Sequence, residues 1–201
     1  MKLSILICTL PQRAEMFNFI FEKLSKQINS SNKNQVEIVS DDNIHITTGE
    51  KRNQLISKAK GEFVVFVDDD DDVYDYYISE ILSTIENNPY IDCIGTNGII
   101  SFNGQNQRNW YISIDYKHWH EKADGYYRTP NHISPIRKSI AEQITFPNTH
   151  HGEDFAFSMA IYPLLKNEAK IEKPMYHYKY KGKSEQIPQG EQGSPYRPAW
   201  R

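Results

Sequence analysis

At 201 residues, with 38% hydrophobic and 24% charged side chains, the chain is long and apolar enough for one domain with a core of its own, which excludes a wholly disordered chain. A net charge of −3 excludes a polyanion-binding surface as the main feature, and no nucleic-acid partner is expected. No apolar run is long enough to span a bilayer, so no transmembrane segment is expected.

Leu3–Cys8 reads as a buried strand rather than a secretory leader, because Pro11, Gln12 and Arg13 follow it with no small-residue cleavage site. Phe17, Ile20, Phe21, Leu24 and Ile28 then recur at helical spacing, with Pro11 near the start of the segment. Val36–Val39 is a second strand, ending in Ser40-Asp41-Asp42-Asn43. A helix is expected over Gly49–Lys60, with Thr48 as its cap and Gly61 as its stop. Glu62–Val67 is a third strand, apolar on both faces, and it runs directly into Asp68, Asp69, Asp70, Asp71 and Asp72. Ile78, Ile81, Leu82 and Ile85 mark the next helix, ended by Asn87-Asn88-Pro89.

This alternation over residues 1–90 predicts an α/β fold: a doubly wound, mostly parallel central sheet with helices on both faces and a ligand across the strand tips. Residues 91–184 differ. Ile91–Ile94, Gly98–Phe102 and Trp110–Ile114 read as strands separated by Asn- and Gly-rich turns. Ser134–Gln143 reads as a short helix, and Gly152–Leu165 as a helix that Pro163 ends or kinks. Ala169–Ile171 and Met175–Tyr180 are late strands, and residues 185–201 read as a flexible tail on a single domain of 1–184. Cys8 and Cys93 lie in strand-like runs and suit buried, reduced thiols. The expected location is therefore cytoplasmic, with peripheral attachment to a membrane left open.

Adjacent carboxylates raise one another's pKa unless something neutralises them. A divalent cation with oxygen ligands, Mg²⁺ or Mn²⁺, would do so; a solvated acidic loop is the plain alternative. Asp68 and Asp70 point the same way if the backbone there stays extended.

Several pieces occur in a telling order: Thr9-Leu10-Pro11-Gln12-Arg13 after the first strand, Asp41-Asp42 after the second, Gly49-Glu50-Lys51-Arg52-Asn53 before a helix ending in Ala59-Lys60-Gly61-Glu62, then Asp68–Asp71, and much later Gly152-Glu153-Asp154. Over residues 2–184 the chain resembles glycosyltransferase family two, inverting enzymes with a GT-A fold. The resemblance implies a nucleotide-binding half over 1–90 and an acceptor half over 91–184. It implies that Thr9, Leu10 and Arg13 grip the base and ribose, that Asp41 or Asp42 accepts from the base, that Arg52 meets the nucleotide and that Asn53 is a buried helix-start residue. Asp68-Asp69-Asp70 matches the Asp-x-Asp signature, with Asp68 on the ribose and Asp70 on the metal, and Asp154 stands at the general base. Tyr178-Lys179 through Ser184 matches a closing segment that usually reads Tyr-Arg, so Lys179 is a departure. Asp42-Asn43-Ile44 in place of Asp-Gly-Ser is another.

Sugar transfer needs charge neutralised on a diphosphate leaving group and a proton taken from an acceptor hydroxyl, tasks that Asp70 and Asp154 would divide. The expectation is an inverting, metal-dependent transferase that uses a nucleotide-diphosphate sugar, with uridine as the default nucleotide, and a glycan, lipid-linked or other hydroxyl acceptor. For Asp154 the alternative role is a charge at a helix N-terminus, which Glu153 fills more naturally. His177 is a candidate contact to metal or diphosphate, and His150 and His151 weaker ones. Trp110, Trp119, Tyr126 and Tyr127 are candidates for a sugar-stacking wall or for core. A sugar nucleotidyltransferase would share the acids but carry a Gly-rich loop after the first strand, which Thr9–Arg13 lacks. A catalytically silent nucleotide- or carbohydrate-binding domain is the third reading.

Overall fold

Three parallel strands form the centre of the fold. β1 (Leu3–Cys8) pairs with β2 (Val36–Asp41) on one side and β3 (Phe63–Phe66) on the other. The structure is a computed structural model that describes residues 1–182; Ser184 and the tail expected over 185–201 lie outside them. The chain leaves β1 through a 3₁₀ turn (Pro11–Arg13) and α1 (Ala14–Gln27), and passes from β2 to β3 through α2 (Thr48–Lys58). The first crossover moves away from β1 and the second moves back past it. Crossovers between parallel strands share one hand, so α1 and α2 belong on opposite faces.

The packing agrees. Leu3, Ile5, Ile7, Phe63, Val65 and Val67 join one core with Ile20 and Leu24 of α1 and Ile78, Ile81 and Ile85 of α3 (Tyr77–Asn87). Leu6, Val64 and Phe66 join another with Leu55 and Ile56 of α2, Ala141 of α4 (Lys138–Ala141), and Phe157 and Ile161 of α5 (Glu153–Ile161). Strand period two thus divides each apolar run between two helical layers. The reversal of winding leaves a crevice beyond the carboxyl ends of β1 and β3.

The second half extends this sheet in mixed fashion. β4 (Asp72–Val73) follows the acids, β5 (Cys93–Phe102) is the long strand, and β6 (Gln105–Ile112) returns antiparallel to it. β7 (His120–Lys122) and β8 (Gly125–Arg128) form the far edge, and β9 (Ile136–Arg137) inserts antiparallel between β3 and β5. β10 (Glu168–Lys170) and β11 (Tyr176–Tyr180) both pair parallel with β5, and β11 also pairs antiparallel with β4. Among the described residues no helix is long and apolar enough to cross a membrane.

Several local expectations change. The cap of α2 is Thr47, whose hydroxyl accepts from the Glu50 amide at 3.2 Å, and the helix ends at Lys58. The segments 91–94 and 98–102 are one strand. Gly98, placed at the start of a strand by the sequence, is demanded by close approach: a Cβ there would meet the Tyr176 carbonyl oxygen at 2.0 Å and the Trp110 ring at 2.5 Å. Ser134–Gln143 begins as strand β9 before α4, because Ile136 bridges β3 and β5. Pro163 acts as expected: α5 stops at Ile161, and residues 162–164 tighten into a 3₁₀ turn. Cys8 and Cys93 are free, and burial pushes the Cys8 thiol up to about 11, which keeps it protonated and unreactive at neutral pH.

Candidate active site

The acid run leaves β3 and turns at once. The Asp71 amide donates to the Asp68 carbonyl at 3.2 Å, so the backbone over 68–71 is a turn and not an extended strand. Asp68 and Asp70 therefore do not point the same way, and the five acids divide among different partners. Asp69 accepts from the Thr9 hydroxyl at 2.7 Å and pairs with Arg13 at 2.6 Å, while Asp70 shares the same guanidinium at 2.6 Å. Burial, opposed by Arg13, pushes both carboxyls above the ordinary range, and the charge of Asp68 adds to the effect. Asp71 is buried and held by the Tyr176 hydroxyl and the Lys179 amide, each at 2.8 Å. Asp72 lies in β4 and pairs with Lys23 at 2.7 Å and Lys179 at 3.0 Å.

Asp68 faces the other direction. Its Oδ1 accepts from Arg52 Nη2 and its Oδ2 from His132 Nε2, both at 3.2 Å, and its amide donates to the Tyr176 hydroxyl at 3.1 Å. Burial disfavours its charge, but the His132 and Arg52 side chains overcome that and hold the carboxyl well below the usual range. Arg52 lies over the Phe66 ring, 4.8 Å from its centroid, and its Nε reaches Glu153 Oε1 at 3.4 Å. Asn53, next on α2, makes a two-way bond with the backbone of Phe146, at 2.9 Å and 2.8 Å. It ties α2 to the segment that leads into α5, although it is half-buried and stands in the middle of α2 rather than at its start.

Gly152 enters α5 with φ of 79°, a left-handed conformation that glycine adopts without strain. Glu153 and Asp154 then occupy the first turn. Glu153 turns inward to Arg52; Asp154 is half-buried and lines a cavity, open to solvent, together with Arg52, Asp68, Arg128, His132 and Tyr178. Among the described residues the Asp154 carboxylate holds no hydrogen bond, while Arg52 and Arg128 are near enough to act on it electrostatically. The exposed His150 and His151 also line this cavity.

Not every predicted residue converges here. Asp41 ends β2 beside Thr9, but its carboxylate accepts from the Asn43 amide and Lys58, and Asp42 is exposed. Leu10 is half-buried at the start of the 3₁₀ turn. His177 bonds Ser101 at 2.8 Å, one strand position away from the cavity-lining Tyr178, so the structure does not bring it to the cavity. Trp110 and Tyr126 belong to the core, Trp110 also edging the cavity, and Trp119 bonds Thr129 at 2.9 Å. Sequence reasoning missed His132, Arg128, Tyr176 and Lys51. Lys51 is buried and donates to the Thr9 carbonyl at 2.6 Å; its place beside Arg52 in the α2 motif was the one available signal.

Among the described residues no group of three or more His, Cys, Asp or Glu side chains could hold a metal by itself. The donor set still fits a hard cation. Mg²⁺ and Mn²⁺ at nucleotides use one or two carboxylates and take the rest of their shell from phosphates and water. Burial is the main reason that the carboxyls of Asp69 and Asp70 are raised, and the charge of Asp68 adds to it; a cation there would offset both.

The structure of S. aureus TarS 1–349 in complex with UDP matches with a TM-score of 0.63 at 18% identity, covering 89% of this chain and 60% of that one. Its complex with UDP-GlcNAc matches with a TM-score of 0.63 at 17% identity, over 92% of this chain and 60% of that one. At these identities the likeness establishes the fold, and the chain spans about 60% of the length of those structures. No curated protein matches the chain. The sequence model of glycosyl transferase family 2 matches residues 20–145, and the chain belongs to that family.

Proposed function

We propose that the protein is an inverting glycosyltransferase that uses a nucleotide-diphosphate sugar, with a UDP-sugar as donor and a hydroxyl as acceptor. One observation carries the reading: Asp68 from the tip of β3 and Asp154 from the first turn of α5 line the same cavity, and the buried Arg52 ties Asp68 to Glu153, the neighbour of Asp154. The complexes of TarS with UDP and with UDP-GlcNAc support this class of donor.

In this reading the β1 tip, with Thr9 and Arg13, faces the nucleotide, and Asp68 meets its ribose. Asp70 would hold Mg²⁺ or Mn²⁺, which when bound neutralises charge on the departing diphosphate. Asp154 accepts the acceptor's proton as the hydroxyl attacks, and its carboxylate, which holds no hydrogen bond among the described residues, is available for that contact. Glu153 does not compete for this role, since it neutralises Arg52. A single base acting on one face gives inversion. Trp110, Ile112 and Ile133 supply apolar wall for the sugar or acceptor.

The test is incubation with a panel of UDP-sugars and Mn²⁺, with slow UDP release as the readout. Release that depends on Asp154 supports the reading; tight UDP binding with no release from any sugar would favour a silent binding domain.

A further inference from the structure

We propose that His132 is a positioning residue for Asp68: it fixes the plane of that carboxylate for its contact with the donor. The inference rests on the reading of Asp68 as a donor contact. A carboxylate only accepts hydrogen bonds, so the 3.2 Å contact from His132 Nε2 to Asp68 Oδ2 is a donated one. Arg52 Nη2 takes the other oxygen, also at 3.2 Å. With one donor on each oxygen the carboxylate cannot rotate without breaking a bond. A carboxylate has about four lone-pair sites, so roughly two remain for ligand hydroxyls, and their direction is set in advance.

His132 is itself held firmly. Its carbonyl accepts from the Phe66 amide at 2.9 Å, two residues before Asp68, and its ring packs against Phe66 with centroids 6.4 Å apart. It sits in a turn closed three times over: the Asn131 amide donates to Ser134 Oγ at 3.2 Å, the Ile133 amide to Asn131 Oδ1 at 3.1 Å, and the Ser134 amide to the Asn131 carbonyl at 3.0 Å. The side chain is 9% exposed and lines the cavity. Among the described residues its buried Nδ1 has no hydrogen-bond partner. An orphaned buried nitrogen is a cost, so a position that served packing alone would be better filled by Phe or Leu. The imidazole is explained by what its other nitrogen does.

The experiment compares wild type with His132→Phe, His132→Leu and His132→Gln. Phe keeps the ring against Phe66 and Leu keeps apolar packing, and neither can donate. Gln reaches with an amide where Nε2 reaches and can donate. UDP affinity is measured by calorimetry in the presence of Mn²⁺, and KM for the sugar donor and kcat by UDP release. Residues that orient the ligands of a metal typically contribute about tenfold to a hundredfold, and the same scale is taken for a residue that orients Asp68. We therefore expect His132→Phe and His132→Leu to weaken UDP binding and raise the donor KM by about tenfold or more, with kcat nearly unchanged and His132→Gln close to wild type. The inference is overturned if both apolar variants bind UDP within about twofold of wild type, if Gln loses as much as Phe and Leu do, or if the loss falls on kcat alone. Should wild type bind no UDP at all, the donor-site reading itself falls, and this inference with it.

Discussion

Arg52 and Glu153 stand 101 residues apart, yet Arg52 Nε donates to Glu153 Oε1 at 3.4 Å, with side chains only 5% and 7% exposed. The same guanidinium holds Asp68 at 3.2 Å. One buried cation therefore ties the acid-tipped strand of the first half to the helix that carries Asp154. Burial works against its charge, but Asp68 and Glu153 overcome that and raise its affinity for the proton further. Removing one member of a buried ion pair typically costs about 3–5 kcal/mol, because the remaining charge is left without a partner. Arg52→Met is expected to destabilise by that order in urea unfolding. Arg52→Lys keeps the charge but cannot reach two carboxylates as a planar fork does, and should fall between.

Asp154 separates binding from chemistry. A general base acts on the transition state, so Asp154→Asn should bind UDP with near-normal affinity and turn over about 10²–10⁴-fold more slowly. Glu153→Gln acts through Arg52 and is expected to show mainly as lost stability. Calorimetry and UDP-release assays on both variants check this; a fully active Asp154→Asn would mean that the base lies elsewhere.

Metal use is tested at Asp70. Arg13 keeps its pair with Asp69 when Asp70 is neutralised, so Asp70→Asn should fold normally. It should lose the part of UDP affinity that depends on Mn²⁺, and EDTA should reduce wild type to the same level. Equal Mn²⁺ dependence in the two proteins would remove Asp70 from the assignment.

Gly98→Ala probes the join between the halves. The added methyl would press on the Tyr176 carbonyl and the Trp110 ring, where overpacking typically costs about 1–3 kcal/mol. Tyr176 also holds Asp68 and Asp71, so weaker UDP binding should accompany the lower urea midpoint.

The pH dependence of stability should carry the mark of Glu168. Burial, only partly offset by the Ser113 hydroxyl and the Ile114 amide, raises its carboxyl above the ordinary value. The folded state then keeps its proton over a range where the unfolded chain has lost it. Stability from this group is full below the ordinary glutamate pKa of about 4.3 and falls as pH rises through the raised value. Melting curves across that window should show a decline that Glu168→Gln lacks.

Much of the fold can be read along the chain because its causes are local. Leu3–Cys8 forms β1 residue for residue, and the turn from apolar run to acids marks the end of β3. Pro163 stops α5 where a missing amide requires it. The order of Arg52-Asn53, the acid run and Glu153-Asp154 points to the family for the same reason: each motif is a few neighbours at fixed spacing. What tertiary structure decides is the pairing. Five adjacent acids look alike in sequence, yet Arg13, Tyr176 and Lys179 take some while Arg52 and His132 take Asp68, because the turn at 68–71 aims them apart. Glu153 looks like a plain helix-start charge until α5 docks beside α2. His132 carries no local signal at all, and nothing beside Gly98 announces that Trp110 and β11 will close on it. Periodicity and caps depend on residues within a few positions of each other. Charge partners and close approaches depend on which distant segments the closed sheet brings within a few ångströms, and no local pattern encodes that.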